Sequence, residues 1–237
     1  MFSKGANKTL TKLSVVTIVL NDKEGFIKTF ESLRRQTFTD FEHVVVDGGS
    51  TDGTVEFIQE NLQYISKFVS EKDNGIYDAY NKGIRLSAGS FIWFLNAGDY
   101  LVGNVIRKEM LEAPCRIKVK FVNHFGRLQD YRRRNVRLSH PYNTQGIIYE
   151  KKGILFDTNF KIAADYQYYI DNGYIHLSLV ETDGFVMYDN TGISTQMTAL
   201  KYAECYEIIL KNFGGIYAAQ YFIRTRVKYF LKFFLSI

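Results

Sequence analysis

A repeated switch of hydrophobic period through the first hundred residues constrains this chain more than any other feature. Residues 13–20 (LSVVTIVL) form a near-continuous run rich in β-branched side chains, as a parallel strand buried on both faces requires. Residues 23–35 then place Phe26, Ile27, Phe30 and Leu33 at helical spacing. The alternation continues with a strand at 41–46 (FEHVVV) and a helix carrying Val55, Phe57, Ile58 and Leu62, with Thr54 near its start. A short strand at 68–70, a helix over 76–86 and a strand at 91–95 (FIWFL) follow. This rhythm predicts an α/β fold, a Rossmann-like and mostly parallel sheet. Right-handed crossovers put helices on both of its faces.

Beyond Leu101 the periodicity loosens. Residues 117–122, 145–149 and 185–188 read as strands and 163–172 as a short helix. From residue 200 onward the spacing is helical, with Gly214-Gly215 breaking it into two helices. No internal repeat or low-complexity linker interrupts the chain. The expected organisation is one domain over 1–199 and a C-terminal helical tail over 200–237.

Composition excludes several classes. At 46% hydrophobic and 23% charged residues the chain is too apolar for disorder. No apolar run approaches the roughly 18 residues of a spanning helix. The first twenty residues lack the layout of a signal peptide. Cys115 and Cys205 offer neither a disulfide framework nor metal-ligand spacing. The net charge of +5 is unevenly placed: Arg116, Lys118, Lys120, Arg127, Arg132, Arg133, Arg134 and Arg137 face the single acid Asp130. That stretch reads as a solvated strand pair or as a contact for diphosphate or anionic lipid. RNA-binding signatures are absent, and nucleic acid is not an expected partner.

In open parallel sheets ligands bind beyond the carboxyl ends of the strands. Three strands here end in polar signals: Asn21-Asp22, Asp47-Gly48-Gly49-Ser50 and Asn96-Ala97-Gly98-Asp99. A fourth cluster, Glu71-Lys72-Asp73-Asn74-Gly75, follows the third strand. Acids gathered on one rim repel each other, so a cation or hydrogen-bond donors would favour them. Neither a G-x-x-x-x-G-K-[ST] loop nor a G-x-G-x-x-G turn is present, which points to phosphates held through a metal ion. Each acid also has a plainer reading: Asp47 and Asp99 as turn residues, Asp52 and Asp165 as helix caps, and Asp78 and Asn81 as order within the third helix.

The series LSVVTIVLND, FEHVVVDGGSTDGT and EKDNGIYDAYNKGIRLSAGSFIWFLNAGD resembles the inverting family 2 glycosyltransferases of GT-A fold. It is most similar to the bacterial branch that builds exopolysaccharide and lipopolysaccharide repeats, including colanic-acid-type enzymes. The likeness covers residues 13–100 and continues more weakly through FKIAADYQYYI. It implies a nucleotide-binding half over about 13–101 and an acceptor-side half over about 102–199. Asp47 then matches the acid that meets the donor's uracil ring, and Asn21 and Asp22 the first-strand edge of the nucleotide pocket. Asp73 matches an acid near base and ribose, and Asp78 and Asn81 are further candidate donor contacts. Asp99 matches the last acid of the D-x-D signature, which holds Mn²⁺ or Mg²⁺ on the diphosphate. Asn96 stands where a fuller signature has another carboxylate. Asp165 matches the catalytic base. Many relatives have His-Gln where this chain has Thr144-Gln145.

The activity so implied is transfer of a sugar from a nucleotide-sugar donor, a UDP-sugar, to a lipid-linked saccharide or polysaccharide hydroxyl with inversion, in surface polysaccharide synthesis. A divalent ion stabilises the departing diphosphate, and a single carboxylate takes the acceptor proton. Two alternatives stand beside it. A sugar nucleotidylyltransferase would carry a glycine- and basic-rich loop where this chain has LNDKEG, and a non-catalytic sugar- or membrane-binding relative would not need Asp47, Asp99 and Asp165 together. In the tail, Arg224, Lys228 and Lys232 form one helical stripe and Ile223, Val227, Phe230 and Phe234 another. An interfacial helix on the anionic inner face of the cytoplasmic membrane is the expectation, against packing on its own domain or in a homodimer.

Overall fold

The computed structural model describes residues 13–123, 125–131, 133–174, 176–189 and 199–234, with side chains as far as Arg226. The first half follows the predicted alternation: β1 (Leu13–Val19), α1 (Lys23–Arg34), β2 (Phe41–Asp47), α2 (Thr54–Glu60), β3 (Lys67–Ser70), α3 (Ile76–Leu86) and β4 (Phe91–Phe94). β1 pairs in parallel with β2 on one side and β4 on the other, and β3 continues the sheet beyond β2. The chain therefore runs outward through β2 and β3, then returns across β1 to lay down β4. That reversal leaves a crevice at the carboxyl ends of β1 and β4.

Every residue of β1 is buried, because both faces of the sheet are covered. Val16 and Ile18 join Val44, Val46, Ile92 and Phe94 against Tyr77, Tyr80 and Ile84 of α3. Val19 and Val45 face the opposite way, onto Phe26 and Phe30 of α1 and Ile58 of α2. Helices on both faces of a mostly parallel sheet are what the β-branched runs predicted. α3 lies so close to β1 that a Cβ on Gly83 would sit 2.3 Å from Val16 Cγ1. Leu62 departs from expectation: the Asn61 N–H turns back to the Ile58 carbonyl, α2 stops at Glu60, and Leu62 is exposed in a 3₁₀ turn.

The second half extends this sheet and adds another. β9 (Ile147–Glu150) runs antiparallel to β4, and β6 (Cys115–Arg116) and β10 (Ser178–Leu179) follow outward. β9 begins later than the predicted strand, because the Asn143 side chain accepts from the Gln145 N–H and folds 144–146 into a 3₁₀ turn. A four-stranded sheet has the order β5 (Tyr100–Asn104), β11 (Asp183–Met187), β7 (Val119–Val122), β8 (Leu128–Asp130).

The last helices are α4 (Ala164–Asp171), α5 (Ala199–Phe213) and α6 (Gly215–Phe234). Gly214, at φ +87, makes the predicted break. Ile208 and Ile209 of α5 and Ala218 and Tyr221 of α6 enter the same apolar cluster as α3 and α4. The helices after residue 199 thus share the core of the α/β layer through Tyr221. Among the described residues no helix is long and apolar enough to cross a membrane.

Candidate active site

The carboxyl ends of β1 and β2 are tied to each other. Asn21 adopts φ +49, a left-handed conformation that Asn tolerates better than most side chains. From there its N–H donates to Ser50 Oγ at 2.8 Å and its Oδ1 accepts from the Thr51 N–H at 2.8 Å. Asp47, fully buried at the end of β2, accepts at Oδ2 from the N–H groups of Gly49 and Ser50, both 3.0 Å, and from Ser70 Oγ at 2.6 Å. Its Oδ1 is buried with no hydrogen-bond partner among the described residues. Asp22 caps α1 by accepting from the Gly25 N–H at 3.0 Å, and Asp52 receives the Lys23 N–H at 2.9 Å.

The rim acids after β3 do have a counter-charge, and it comes from the protein. Lys82 Nζ of α3 lies 2.7 Å from Asp73, 2.9 Å from Glu71 and 3.7 Å from Asp78. Burial opposes that charge, but the hydrogen bonds it donates to Asp73 and Glu71 prevail and hold the ammonium well above its ordinary range. Asp73 also borders the β2 loop, since a Cβ on Gly48 would come 2.9 Å from Asp73 Oδ2. Asp47 and Asp73 are therefore neighbours. Asn81 is not among them: its Nδ2 donates to the Phe156 carbonyl at 2.9 Å and its Oδ1 accepts from the Phe156 N–H at 2.8 Å. Both amide atoms are used in tying α3 to the loop before α4.

The turn after β4 carries the acid of the expected cation site. Asp99 is 2% exposed, and the Thr29 hydroxyl fixes its turn by donating to the Asp99 carbonyl at 2.6 Å. The β5–β11 pairing matches Tyr100 with Met187, which brings Asp189 alongside. The Asp189 N–H donates to Asp99 Oδ1 at 2.8 Å, and a Cβ on Gly98 would meet Asp189 Oδ2 at 3.0 Å. Burial, and then the charge of Asp189, pushes the Asp99 carboxyl well above the usual carboxylate range. Two carboxylates this close suit a divalent ion, and the oxygen set of Asp99, Asp189 and Asn96 fits Mg²⁺ or Mn²⁺ rather than a softer metal. Among the described residues no three acidic, imidazole or thiol groups converge, so substrate phosphates and water would complete such a shell.

Asp165 opens the first turn of α4. Its Oδ2 accepts from the Thr144 hydroxyl at 3.0 Å. Thr144 is itself held by the 3₁₀ turn and by Trp93, whose indole N–H donates to the Gln145 carbonyl at 2.7 Å. The chain entering α4 is braced by Glu204 of α5, which accepts the N–H groups of Lys161, Ile162 and Ala163 at 2.7–2.9 Å. Tyr80 connects the two acid centres: its hydroxyl donates to Asn96 Oδ1 at 2.8 Å. Burial first, then the charges of Asp99 and Asp165, hold its proton on. Asp99 and Asp165 therefore act on one hydroxyl from separate elements.

Four residues of this arrangement escaped the sequence: Asp189, Lys82, Glu204 and Thr144 in its contact with Asp165. None lies in a strand-end motif. Only the helical spacing of Asp78 and Lys82 offered a local signal.

The family model of glycosyl transferase family 2 matches residues 14–170. An uncharacterized glycosyltransferase of Mycobacterium tuberculosis is 37% identical over 102 residues, 43% of this chain and 39% of its own length. Chondroitin synthase of Escherichia coli is 35% identical over 98 residues, 39% of this chain and 14% of its own. The chain thus spans about two fifths or less of these curated relatives. Among solved structures, S. aureus TarS in complex with UDP-GlcNAc superposes with a TM-score of 0.63 at 22% identity, covering 83% of this chain and 64% of TarS. The mannosyltransferase PcManGT from Pyrobaculum calidifontis, in complex with GDP-Man and Mn²⁺, gives 0.59 at 14% identity, covering 89% and 69%. At these identities the two structures establish likeness of fold.

Proposed function

Since the chain belongs to glycosyl transferase family 2, we propose that it transfers a sugar from a UDP-sugar to a hydroxyl of a lipid-linked or polysaccharide acceptor, with inversion, in surface polysaccharide synthesis. The observation that carries this reading is the presence of two acid centres: the buried Asp99 turn, whose neighbour Asn96 is held by Tyr80, and Asp165, hydrogen-bonded to Thr144. One centre suits a departing diphosphate and the other an attacking hydroxyl.

Asp47, Asp73 and the Asn21–Ser50 tie form the nucleotide end. The unpartnered Asp47 Oδ1 would take a ring N–H of the base, which TarS's complex with UDP-GlcNAc supports for a uracil donor. Asp99, Asp189 and Asn96 would hold Mn²⁺ or Mg²⁺, whose positive charge stabilises the negative charge that develops on the diphosphate. PcManGT's complex with Mn²⁺ supports that assignment. Asp165 takes the proton of the acceptor hydroxyl as its oxygen attacks the anomeric carbon, and Thr144 keeps the receiving carboxylate in place. A single base suffices because the diphosphate leaves without being protonated, unlike the sugar oxygen in a glycosidase.

The same reading puts the protein at the inner face of the cytoplasmic membrane. On α6, Ile216 is 76% and Ile223 62% exposed, close to the exposed Arg224 and Arg226. The test of the function is release of UDP from a panel of UDP-sugars with and without Mn²⁺, followed by NMR of the transferred sugar. Metal-dependent release and an inverted anomeric carbon are expected; no release from any nucleotide sugar would overturn the reading.

A further inference from the structure

The arginine-rich segment between β8 and β9 is not used by the donor site. Arg133, Arg134 and Arg137 are exposed, and each guanidinium lies over a tyrosine: Arg133 5.9 Å from the Tyr142 ring, Arg134 5.4 Å from Tyr131, Arg137 5.2 Å from Tyr217. Arg116 covers Tyr142 from β6 at 5.3 Å. Among the described residues none of these four forms a salt bridge. Asp130, the acid nearest in sequence, faces Lys120 instead at 3.8 Å. Arg116 spends its Nε on the Leu177 carbonyl and Arg137 one Nη on the Tyr217 hydroxyl, and the remaining guanidinium N–H groups are of the kind that grips phosphate oxygens in pairs.

A second observation lies beneath them. The hydroxyls of Tyr142 and Tyr169 and the Nε2 of His140 are buried without a hydrogen-bond partner among the described residues. Their rings touch, with His140 5.2 Å and Tyr142 6.1 Å from Tyr169. Buried polar atoms are nearly always satisfied, so the unpaired hydroxyls of Tyr142 and Tyr169 are groups a bound ligand could meet.

Resting on the glycosyltransferase reading, we propose that Arg116, Arg133, Arg134 and Arg137 bind a diphosphate carried by the acceptor. The side of the site decides between donor and acceptor. The donor's phosphates belong at the Asp99 turn, whereas the arginine segment packs on the helix of Asp165, where the Tyr166 hydroxyl donates to the Val136 carbonyl and the His140 ring lies 6.0 Å from the Tyr166 ring. Burial dominates at His140 and Tyr131, and after it each feels Asp165 and Arg134 with opposite sign. The base must reach the acceptor hydroxyl, so an anion held here lies a short saccharide away from the reacting oxygen. Arg137 also donates to Tyr217 of α6 at 2.7 Å, which joins the arginines to the helix that exposes Ile216 and Ile223. A lipid tail leaving the diphosphate would find that face.

Calorimetry on the chain saturated with UDP and Mn²⁺, using inorganic pyrophosphate, geranyl diphosphate and geraniol as probes, tests the site. Both diphosphates are expected to bind without displacing UDP, and geraniol is not. Arg133→Gln/Arg134→Gln should weaken diphosphate binding at least tenfold while UDP affinity stays at the parental value. If the double variant loses UDP binding, Arg134→Gln alone carries the comparison. Tighter binding of geranyl diphosphate than of pyrophosphate supports a lipid-borne diphosphate, and equal binding supports recognition of the diphosphate alone. Displacement of UDP by a probe, absence of diphosphate binding, or variants within twofold of the parent would overturn the proposal. A parent that fails to bind UDP would instead count against the glycosyltransferase reading.

Discussion

The Thr144 hydroxyl donates to Asp165 Oδ2 over 3.0 Å, joining the turn before β9 to the first turn of α4. Thr144 brings one short donor with no charge to that carboxylate. Because Trp93 anchors the same turn to β4, the carboxylate is oriented by the central sheet rather than by its own helix alone.

Replacing Asp165 by Asn removes the proton acceptor and leaves the side-chain shape. Turnover should fall ~10²–10⁴-fold with donor binding retained. Steady-state kinetics together with UDP titration check this, and near-parental turnover would move the base elsewhere. Thr144→Val should lower kcat about tenfold with little change in donor KM, since a hydrogen bond to a charged group is worth about 1.5–3 kcal/mol. Thr144→Ser should restore most of the loss.

Asp99→Ala should uncouple UDP binding from the metal. In the parent, Mn²⁺ is expected to tighten UDP binding; in the variant, titrations with and without Mn²⁺ should coincide. A variant whose UDP affinity still responds to Mn²⁺ as the parent's does would place the ion away from Asp99.

His43 gives a pH-dependent stability. It is stacked against Phe26 and Phe30 and bonded to Thr17 Oγ1 at 3.0 Å, and burial lowers its pKa to about 4. The unfolded chain binds the proton first, so stability present at neutral pH is lost as pH falls from about 6.5 toward 4. The loss should reach about 2 kcal/mol at pH 5. Urea unfolding at pH 7 and pH 5 should show a smaller difference in His43→Gln than in the parent.

Gly83→Ala should destabilise the fold by about 1–3 kcal/mol, because the added methyl meets Val16 at the tightest approach of α3 to β1. Thermal unfolding reads this directly, and an unchanged midpoint would mean that α3 can shift away without cost.

Deleting residues 227–237 leaves the buried Ala218 and Tyr221 in place. The truncated protein should keep its thermal midpoint within a few degrees and lose binding to vesicles containing anionic lipid. Unchanged vesicle binding would remove the role of this segment at the membrane.

How much of this was legible depended on where the determinants lie along the chain. β1, β2 and β4 were readable because burial on both faces demands continuous β-branched or aromatic runs, and the acids at their carboxyl ends follow from the same topology. β8 was not readable, since its three residues are all exposed, and β5 is interrupted by Gly103 at φ +76. Asp189 meets Asp99 across ninety residues through the Tyr100–Met187 register, which no local period encodes. The tie made by Asn81 was hidden for a related reason: its partner, the Phe156 backbone, lies seventy-five residues away. The acids after β3 repel each other as local reading says, yet their counter-ion is Lys82, one helix further on.

The Glu204 brace sets the unit in which such a protein can be recombined. A crossover placed anywhere between Asp165 and Glu204 would give the loop that leads into Asp165 a foreign anchor, exposing three backbone N–H groups to whatever that helix offers. The loop before α4 and helix α5 are therefore inherited together.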